Sequence, residues 1–426
     1  MLDLRAIRED PEPARAALAR RGAGERLDEL LALDARRREL LPQVEERRAR
    51  RNRSSDQIAT AKRSGGDASE PIAAMRELAG ELKGLEAELA EVERRLEAIA
   101  QRLPNLPDGE APDGETDEDG VVLREVGERL EPGFEPLDHL ELGQRHGWIE
   151  TEKAAAASGS RFAYLFGDLV MVELALIRFV VELLRDEGFE PVVPPVLVRE
   201  QPLYATGYFP GEREMIYEVE RDELFLVGTS EVALAALGAD EILAADELPR
   251  RFAGISPCFR REAGAAGRDT RGIFRVHQFE KVEMFSFVVP EESKREHERL
   301  LATEERIMAA LEIPYRVVDI PVGDLGDPAA RKFDLEAWIP SQGRYRELTS
   351  TSNTTDYQAR RLGARYRPEP GASPRFCHTL NGTAVAVGRT LIALLENGQR
   401  EGGSVALPQA LIDAGAPPVI GEASGV

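Results

Sequence analysis

Three short stretches of this 426-residue chain carry residue types that can handle a phosphorylated substrate. The first spans residues 251–289, where two strand-like runs, 252–262 and 273–288, flank the loop Ala-Gly-Ala-Ala-Gly-Arg-Asp-Thr-Arg-Gly. Side chains alternate faces along a strand. One face of the second run therefore presents Arg275, His277, Phe279, Lys281 and Glu283, and on the first run Arg260 and Glu262 share a face. Charges packed this densely around an aromatic ring are costly to bury unless paired, and a fully solvated face has no use for the ring. The second stretch is Arg-Tyr-Arg-Glu-Leu-Thr-Ser at 344–350. Its Glu347 and Ser350 are a carboxylate and a hydroxyl suited to a hard cation such as Mg²⁺. They lie three residues apart, so strict alternation puts them on opposite faces, and they can serve one site only where the strand bends or ends. The third is Asn-Gly-Thr-Ala-Val-Ala-Val-Gly-Arg at 381–389, a strand running into a helix, which places Arg389 at a positive helix terminus suited to an anion.

Arginines for phosphates, a carboxylate–hydroxyl pair for Mg²⁺, an aromatic ring for a base and spare carboxylates for an ammonium suit nucleotidyl transfer to a small zwitterion. Neither a Gly-x-x-x-x-Gly-Lys-[Ser/Thr] loop nor a Gly-x-Gly-x-x-Gly loop is present, which argues against those ATP folds.

The elements that must position these groups are legible in outline. Leu82, Leu85, Leu89, Val92, Leu96, Ile99 and Leu103 follow a 3-4-3-4-3-4 heptad seam, and residues 26–62 carry a second, thinning apolar stripe. With a short breaker between them, the pattern predicts an antiparallel two-helix hairpin with arms of roughly 50 Å. Residues 26–65 hold 11 basic against 7 acidic side chains, a local excess of +4 in a chain of net charge −22. A chain-wide basic surface for nucleic acid is thus excluded, and a phosphate contact has to be local. Thirteen of the seventeen residues at 104–120 are Pro, Gly, Asp or Glu, which predicts a solvated linker. Beyond it, residues 121–400 read as mixed helix and strand, with an apolar helix at 168–187 followed by a proline-containing extended segment. The most apolar run, 169–184, is short and interrupted by Glu173, Arg178 and Glu182, so no membrane span is expected. Two cysteines, Cys258 and Cys377, and five scattered histidines provide neither a disulfide framework nor zinc spacing. The charged N-terminus is no secretory signal, and a reducing, cytoplasmic setting is expected.

Taken in order, these motifs resemble the bacterial-type seryl-tRNA synthetases, a family of class II aminoacyl-tRNA synthetases, over essentially the whole chain. The resemblance rests on the hairpin, Thr-Ser-Glu at 229–231, Phe-Arg-Arg-Glu-Ala-Gly at 259–264, and Gly-Arg-Asp-Thr-Arg-Gly at 267–272. It continues with Val-His-Gln-Phe-Glu-Lys-Val-Glu at 276–283, Glu-Leu-Thr-Ser at 347–350 and the 381–389 segment. It implies an α+β protein: a helical tRNA-binding arm (1–103), a linker (104–120) and a catalytic domain built on an antiparallel sheet flanked by helices (121–426). It further implies that Arg260 grips the α-phosphate, Arg275 the γ-phosphate, Glu262 and Phe279 the adenine, and Arg389 the opposite face of the nucleotide. Arg261, Leu348 and Thr349 complete the ATP site, and Glu347 and Ser350 ligate Mg²⁺. Thr229, Ser230, Glu231, Glu283, Asn381 and Thr383 would bind serine. Arg36, Arg47, Arg48 and Arg51 are the arm's expected tRNA contacts. The implied activity is ATP-dependent formation of seryl-adenylate and transfer of serine to tRNA(Ser), and to tRNA(Sec) where one exists, by a homodimer without zinc. The alternatives are an adenylating paralogue that loads a carrier protein and a non-catalytic RNA-binding paralogue. Gly238 stands where the family leads one to expect a histidine, and no role follows for it from sequence.

Overall fold

The structure is a computed structural model describing all residues except 66, 130–132, 265, 266, 268 and 423–426. Arg268 of the 267–272 motif lies outside the described residues. The chain divides into two compact units, residues 2–104 and residues 105–426 together with Met1.

The first unit is helical. Two short helices, Leu4–Glu9 and Pro11–Ala19, precede the long pair Gly24–Arg63 and Ser69–Arg102. The heptad seam packs as its spacing predicts. Leu82, Leu89 and Val92 are buried against Leu33, Leu40 and Val44 of the opposite helix, with Leu85, Leu96 and Ile99 half-buried beside them. Ion pairs flank this seam between the helices: Arg36 Nε to Glu88 (2.9 Å), Arg37 to Glu93 (2.9 Å), Arg47 to Glu81 (3.2 Å) and Arg48 to Glu86 (2.9 Å).

The second unit is built on an eight-stranded sheet: β1 (Val121–Val126), β2 (Glu190–Val192), β3 (Arg250–Phe259), β4 (Gln278–Val288), β5 (Tyr315–Asp319), β6 (Arg331–Ile339), β7 (Arg344–Asn353) and β8 (His378–Ala386). The spatial order is β1-β5-β6-β7-β8-β4-β3-β2. Every pairing is antiparallel except β2 with β3. Helices Asp168–Asp186, Ser293–Ala310 and Val387–Asn397 supply apolar faces to the main core, which includes Val180, Leu300 and Leu391. Gly254 on β3 lets the segment 230–234 lie directly on the sheet, since a Cβ there would sit 2.7 Å from Ser230 Oγ. Gly238 has a similar reason: a Cβ would meet the ring of buried Phe287 at 2.6 Å, so no side chain fits.

Two sequence expectations need correction. Residues 105–120 are solvated on their acidic side chains as composition suggests, but they are no separate linker: they belong to the second unit and are strapped to it. Buried Asn105 donates from Nδ2 to the carbonyls of Pro328 (2.9 Å) and Thr354 (2.8 Å), Asp108 N donates to Ala330 O (2.8 Å), and Glu110 pairs with Lys294 and Arg331 (both 2.7 Å). Glu110 is answered by two cations, while Asp113, Glu115 and residues 117–119 remain exposed. The strand-like runs at 252–262 and 273–288 are also shorter than expected, ending at Phe259 and beginning at Gln278.

Candidate active site

The candidate site is a cleft of about 370 Å³ in the second unit, over the face of β4, β8 and β7. Its cationic part is Arg260, Arg275 and Arg389. Arg260 leaves the end of β3, donates from Nε to Gly228 O (3.2 Å) and stacks its guanidinium 5.3 Å from the centre of the Phe279 ring. Arg275 reaches the cleft from the loop before β4 and is held by Glu262 (2.6 Å), a residue with φ of 50°. Arg389, in the first turn of helix Val387–Asn397, lies 4.8 Å from the centre of the Phe274 ring, and Arg346 lies 3.9 Å from the same ring.

Beside the arginines stand Glu347 and Ser350. They share a face because β7 carries a bulge. Thr349 pairs with Leu335 and Glu347 with Glu336, so Leu348 is an extra residue that shifts the alternation by one. The bulge resolves the three-residue spacing that strict alternation forbids. Arg389 braces it, donating from Nη1 to the Glu347 carbonyl (2.9 Å) and to its carboxylate (3.3 Å). Burial alone would raise the Glu347 pKa, but Arg389, Lys332 and Arg260 outweigh burial and hold it below the ordinary value. An ionised carboxylate and a hydroxyl on one face fit a hard cation that completes its shell with phosphate oxygens and water. Among the described residues no cluster of three or more His, Cys, Asp or Glu could hold a metal unaided.

The carboxylate part is Glu231 and Glu283. Glu231 Oε1 accepts from Gln358 Nε2 (2.8 Å) and Asn381 Nδ2 (2.9 Å), and its backbone N–H donates to Thr229 Oγ1 (3.3 Å). Burial, and secondarily the charge of Glu283, push the Glu231 pKa up to about 7. Glu283 forms an ion pair with Lys281 and accepts from Thr383 Oγ1 (3.5 Å). A second bulge, at Ala384, brings Glu283 opposite Thr383 while keeping Lys281 opposite Ala386.

The cleft therefore brings together Thr229, Glu231, Glu283, Asn381, Thr383, Arg260, Glu262, Arg275, Phe279, Glu347, Leu348, Thr349, Ser350 and Arg389. Leu348 and Thr349 are buried, and Leu348 belongs to the main core. Two expected site residues are not brought to it. Ser230 packs on β3 at Gly254 with its Oγ buried and unpartnered among the described residues. Arg261 is exposed, since the residue after cleft-facing Arg260 turns the other way and is fixed by its N–H to Met215 O (2.9 Å). His277, grouped with the site by alternation, precedes the true start of β4. It contacts the rings of Phe162 and Tyr217 and bonds Arg260 O through Nδ1 (2.9 Å). Lining residues to which sequence assigned no role include Lys281, Tyr208, Glu212 and Phe274, while Gln358 acts on Glu231 from behind. Only Lys281 carried a signal, its place in the alternating charged run. Cys258 is fully buried and its thiol pKa is raised by that burial, so it is a packing residue.

Known proteins resemble this chain along its whole length. Residues 216–398 match the tRNA synthetase class II core domain (G, H, P, S and T), and residues 1–107 match the seryl-tRNA synthetase N-terminal domain. The chain is 51% identical to the serine–tRNA ligase of Rubrobacter xylanophilus over 99% of this chain and 100% of the other. It is 48% identical to that of Thermobifida fusca over 96% of each. Among solved structures it resembles seryl-tRNA synthetase from Pyrococcus horikoshii complexed with ATP, with a TM-score of 0.90 and 40% identity over 99% and 100% of the two chains. The chain belongs to the seryl-tRNA synthetase family of class II aminoacyl-tRNA synthetases.

Proposed function

We propose that the cleft activates L-serine with ATP and that the enzyme then esterifies tRNA(Ser), and tRNA(Sec) where one exists. The observation that carries this reading is the single cleft that holds two buried carboxylates at one part and three arginines at another. Glu231, with Asn381 and Thr229, receives the serine ammonium; Glu283 and Thr383 receive its hydroxyl. A pocket that hydrogen-bonds a hydroxyl rejects analogues lacking it, because its own polar groups would be left unpaired. Arg260 and Arg275 bind the α- and γ-phosphates of a bent ATP, and the adenine lies between Phe279 and Arg389 beside Glu262. Mg²⁺, held by Glu347 and Ser350, would neutralise phosphate charge. The serine carboxylate attacks the α-phosphorus in line as pyrophosphate leaves, and a ribose hydroxyl at the tRNA terminus then attacks the activated carbonyl and releases AMP. No side chain acts as nucleophile; the protein contributes orientation and fixed positive charge.

Two further parts of the reading rest on surfaces. Helix Asp168–Asp186 leaves Met171 and Leu174 about half exposed (50% and 56%), and Val193 just beyond it is 82% exposed. A second copy of this chain is the natural cover for such a face. Among the described residues no helix is long and apolar enough to cross a membrane. The two cysteines are free and buried, consistent with a cytoplasmic setting. On the arm, Arg36, Arg47 and Arg48 are already paired with carboxylates, whereas Arg51 has no ion-pair partner among the described residues. Arg51 is the arginine of the four freest to meet a phosphate.

Amino-acid-dependent pyrophosphate–ATP exchange without tRNA tests the core of the proposal. Exchange with serine alone among the twenty amino acids is expected, and Arg260→Ala should lower it by about 10²–10³-fold. Exchange driven by another amino acid would overturn the pocket assignment. Serine affinity should also depend on pH in a stated direction. Below about pH 7 the empty site holds a growing fraction of neutral Glu231, which cannot pair with an ammonium, so the KM for serine should rise as pH falls from 8 to 6. The same raised pKa makes the empty protein lose stability as pH climbs from the unfolded carboxylate's value through about 7. A KM for serine that is flat across this range would remove Glu231 from the ammonium site. For the arm, Arg51→Ala should raise the KM for tRNA several-fold and leave pyrophosphate exchange unchanged. Sedimentation should return a mass of about twice 47.0 kDa, and Leu174→Glu should return the monomer.

A further inference from the structure

One buried titratable group close to the cleft has no part in the chemistry above. His139, at the start of helix His139–His146, is 4% exposed and lies outside the cleft lining. Its ring is held from two sides. Nδ1 lies 3.2 Å from Oε1 of Glu396, a fully buried carboxylate on helix Val387–Asn397, and the His139 backbone N–H donates to the same oxygen (3.1 Å). On the other side, the backbone N–H of Ile273 donates to Nε2 (3.2 Å). These partners dictate the tautomer: the proton sits on Nδ1, facing the carboxylate, and Nε2 is the acceptor.

Ile273 stands two residues before Arg275, the cleft arginine, and is followed at once by Phe274, the ring under Arg389 and Arg346. The segment entering this position is shaped to lie on the imidazole. Gly272 has φ of +69°, and a Cβ on it would fall 2.0 Å from His139 Nε2, so only glycine admits the contact. The residue before that, Arg271, is clamped to the same helix by Asp138 (2.8 Å) and Glu141 (3.3 Å). Glu396 extends the brace to the active-site strands, because its Oε2 accepts from Ser341 N (3.1 Å) in the turn between β6 and β7. One buried histidine thus ties the chain entering Arg275 to the helix that carries Arg389 and, through Glu396, to the turn that starts β7.

We propose that His139 is a positioning residue for nucleotide binding: by accepting the Ile273 N–H while anchored on Glu396, it sets the backbone from which Arg275 reaches the phosphates. The inference rests on the assignment of Arg275 to an ATP phosphate made above. It concerns the ATP part of the cleft only, since the carboxylates that face serine stand on other elements.

Two conservative substitutions separate the two halves of the imidazole. The amide of His139→Gln reaches the Nε2 position and can still accept from Ile273. The amide of His139→Asn reaches only the Nδ1 position and keeps Glu396 while releasing Ile273. In serine-dependent pyrophosphate exchange, His139→Asn should raise the KM for ATP about ten-fold, the size of one lost hydrogen bond together with the misplacement it allows. The KM for serine should stay within about two-fold. His139→Gln should recover most of the ATP affinity. Should the His139 variants fail to fold, Gly272→Ala pushes the segment off the ring from the other side and should give the same selective loss. Equal changes in both KM values, or loss of thermal stability with both KM values intact, would overturn the inference. Arg275→Ala run alongside distinguishes the failures. If its KM for ATP is unchanged, the phosphate assignment itself is wrong. If it rises while His139→Asn and Gly272→Ala leave ATP binding alone, only the role of His139 falls.

Discussion

The site depends on two places where a strand carries one residue too many. A regular strand offers a surface only every second side chain; β7 could not present Glu347 and Ser350 together in that rhythm, and on β8, where Asn381 and Thr383 already share a face, the irregularity sets their register against β4. The extra residue at Leu348 brings Glu347 into phase with Ser350, and the one at Ala384 aligns Thr383 with Glu283 while leaving Ala386 opposite Lys281. A bulge interrupts the ladder and leaves backbone groups to be satisfied some other way. At Glu347 the Arg389 guanidinium supplies that partner through the carbonyl, and it touches the carboxylate of the same residue as well. Local irregularity and local chemistry are therefore secured by one side chain.

Charge is arranged on the same economical scheme. A carboxylate removed from water is expensive unless it is neutralised or hydrogen-bonded. Glu283 has Lys281 against it, while among the described residues Glu231 forms no ion pair and is hydrogen-bonded by the neutral donors Gln358 and Asn381, and burial lifts its pKa to about 7. The difference leaves Glu231 as the carboxylate that gains most from a cation delivered by a ligand. Glu262 pairs with Arg275 and Glu347 with Arg389, so both arginines stand already oriented in the empty cleft and have little freedom left to lose on meeting a ligand.

Much of this was legible in the residues before any coordinates, and the failures share a physical cause. Alternation located Phe279, Lys281 and Glu283 correctly because β4 is regular there. It misled at His277, which lies just outside the strand, and motif adjacency misled at Ser230 and Arg261, whose neighbours face the cleft and which therefore do not. The heptad seam of the hairpin was readable because a long two-helix pair has a single packing solution for that spacing. Gln358 left no trace, since a glutamine on the short helix Tyr357–Leu362 acquires its role only through a contact 127 residues distant. The stretch at 105–120 reads as a separate linker because composition reports its polarity and is silent on the contacts that strap it down, here the Asn105 amide bonds and the pairing of Glu110 with Lys294 and Arg331.

The inter-helix ion pairs of the arm have a thermodynamic consequence. A nucleic acid carries condensed cations, and each phosphate that an arginine neutralises releases them, which is the source of both affinity and salt dependence. Arg36, Arg37, Arg47 and Arg48 already hold carboxylates of the neighbouring helix, and exposed pairs of this kind are worth at most about 1 kcal/mol. A nucleic acid laid along the hairpin would take these guanidinium groups in exchange, displacing tethered glutamates that stay on the protein and repel the incoming phosphates. Association with such a surface is a swap of partners, so each paired arginine contributes less to affinity than an unpaired one would.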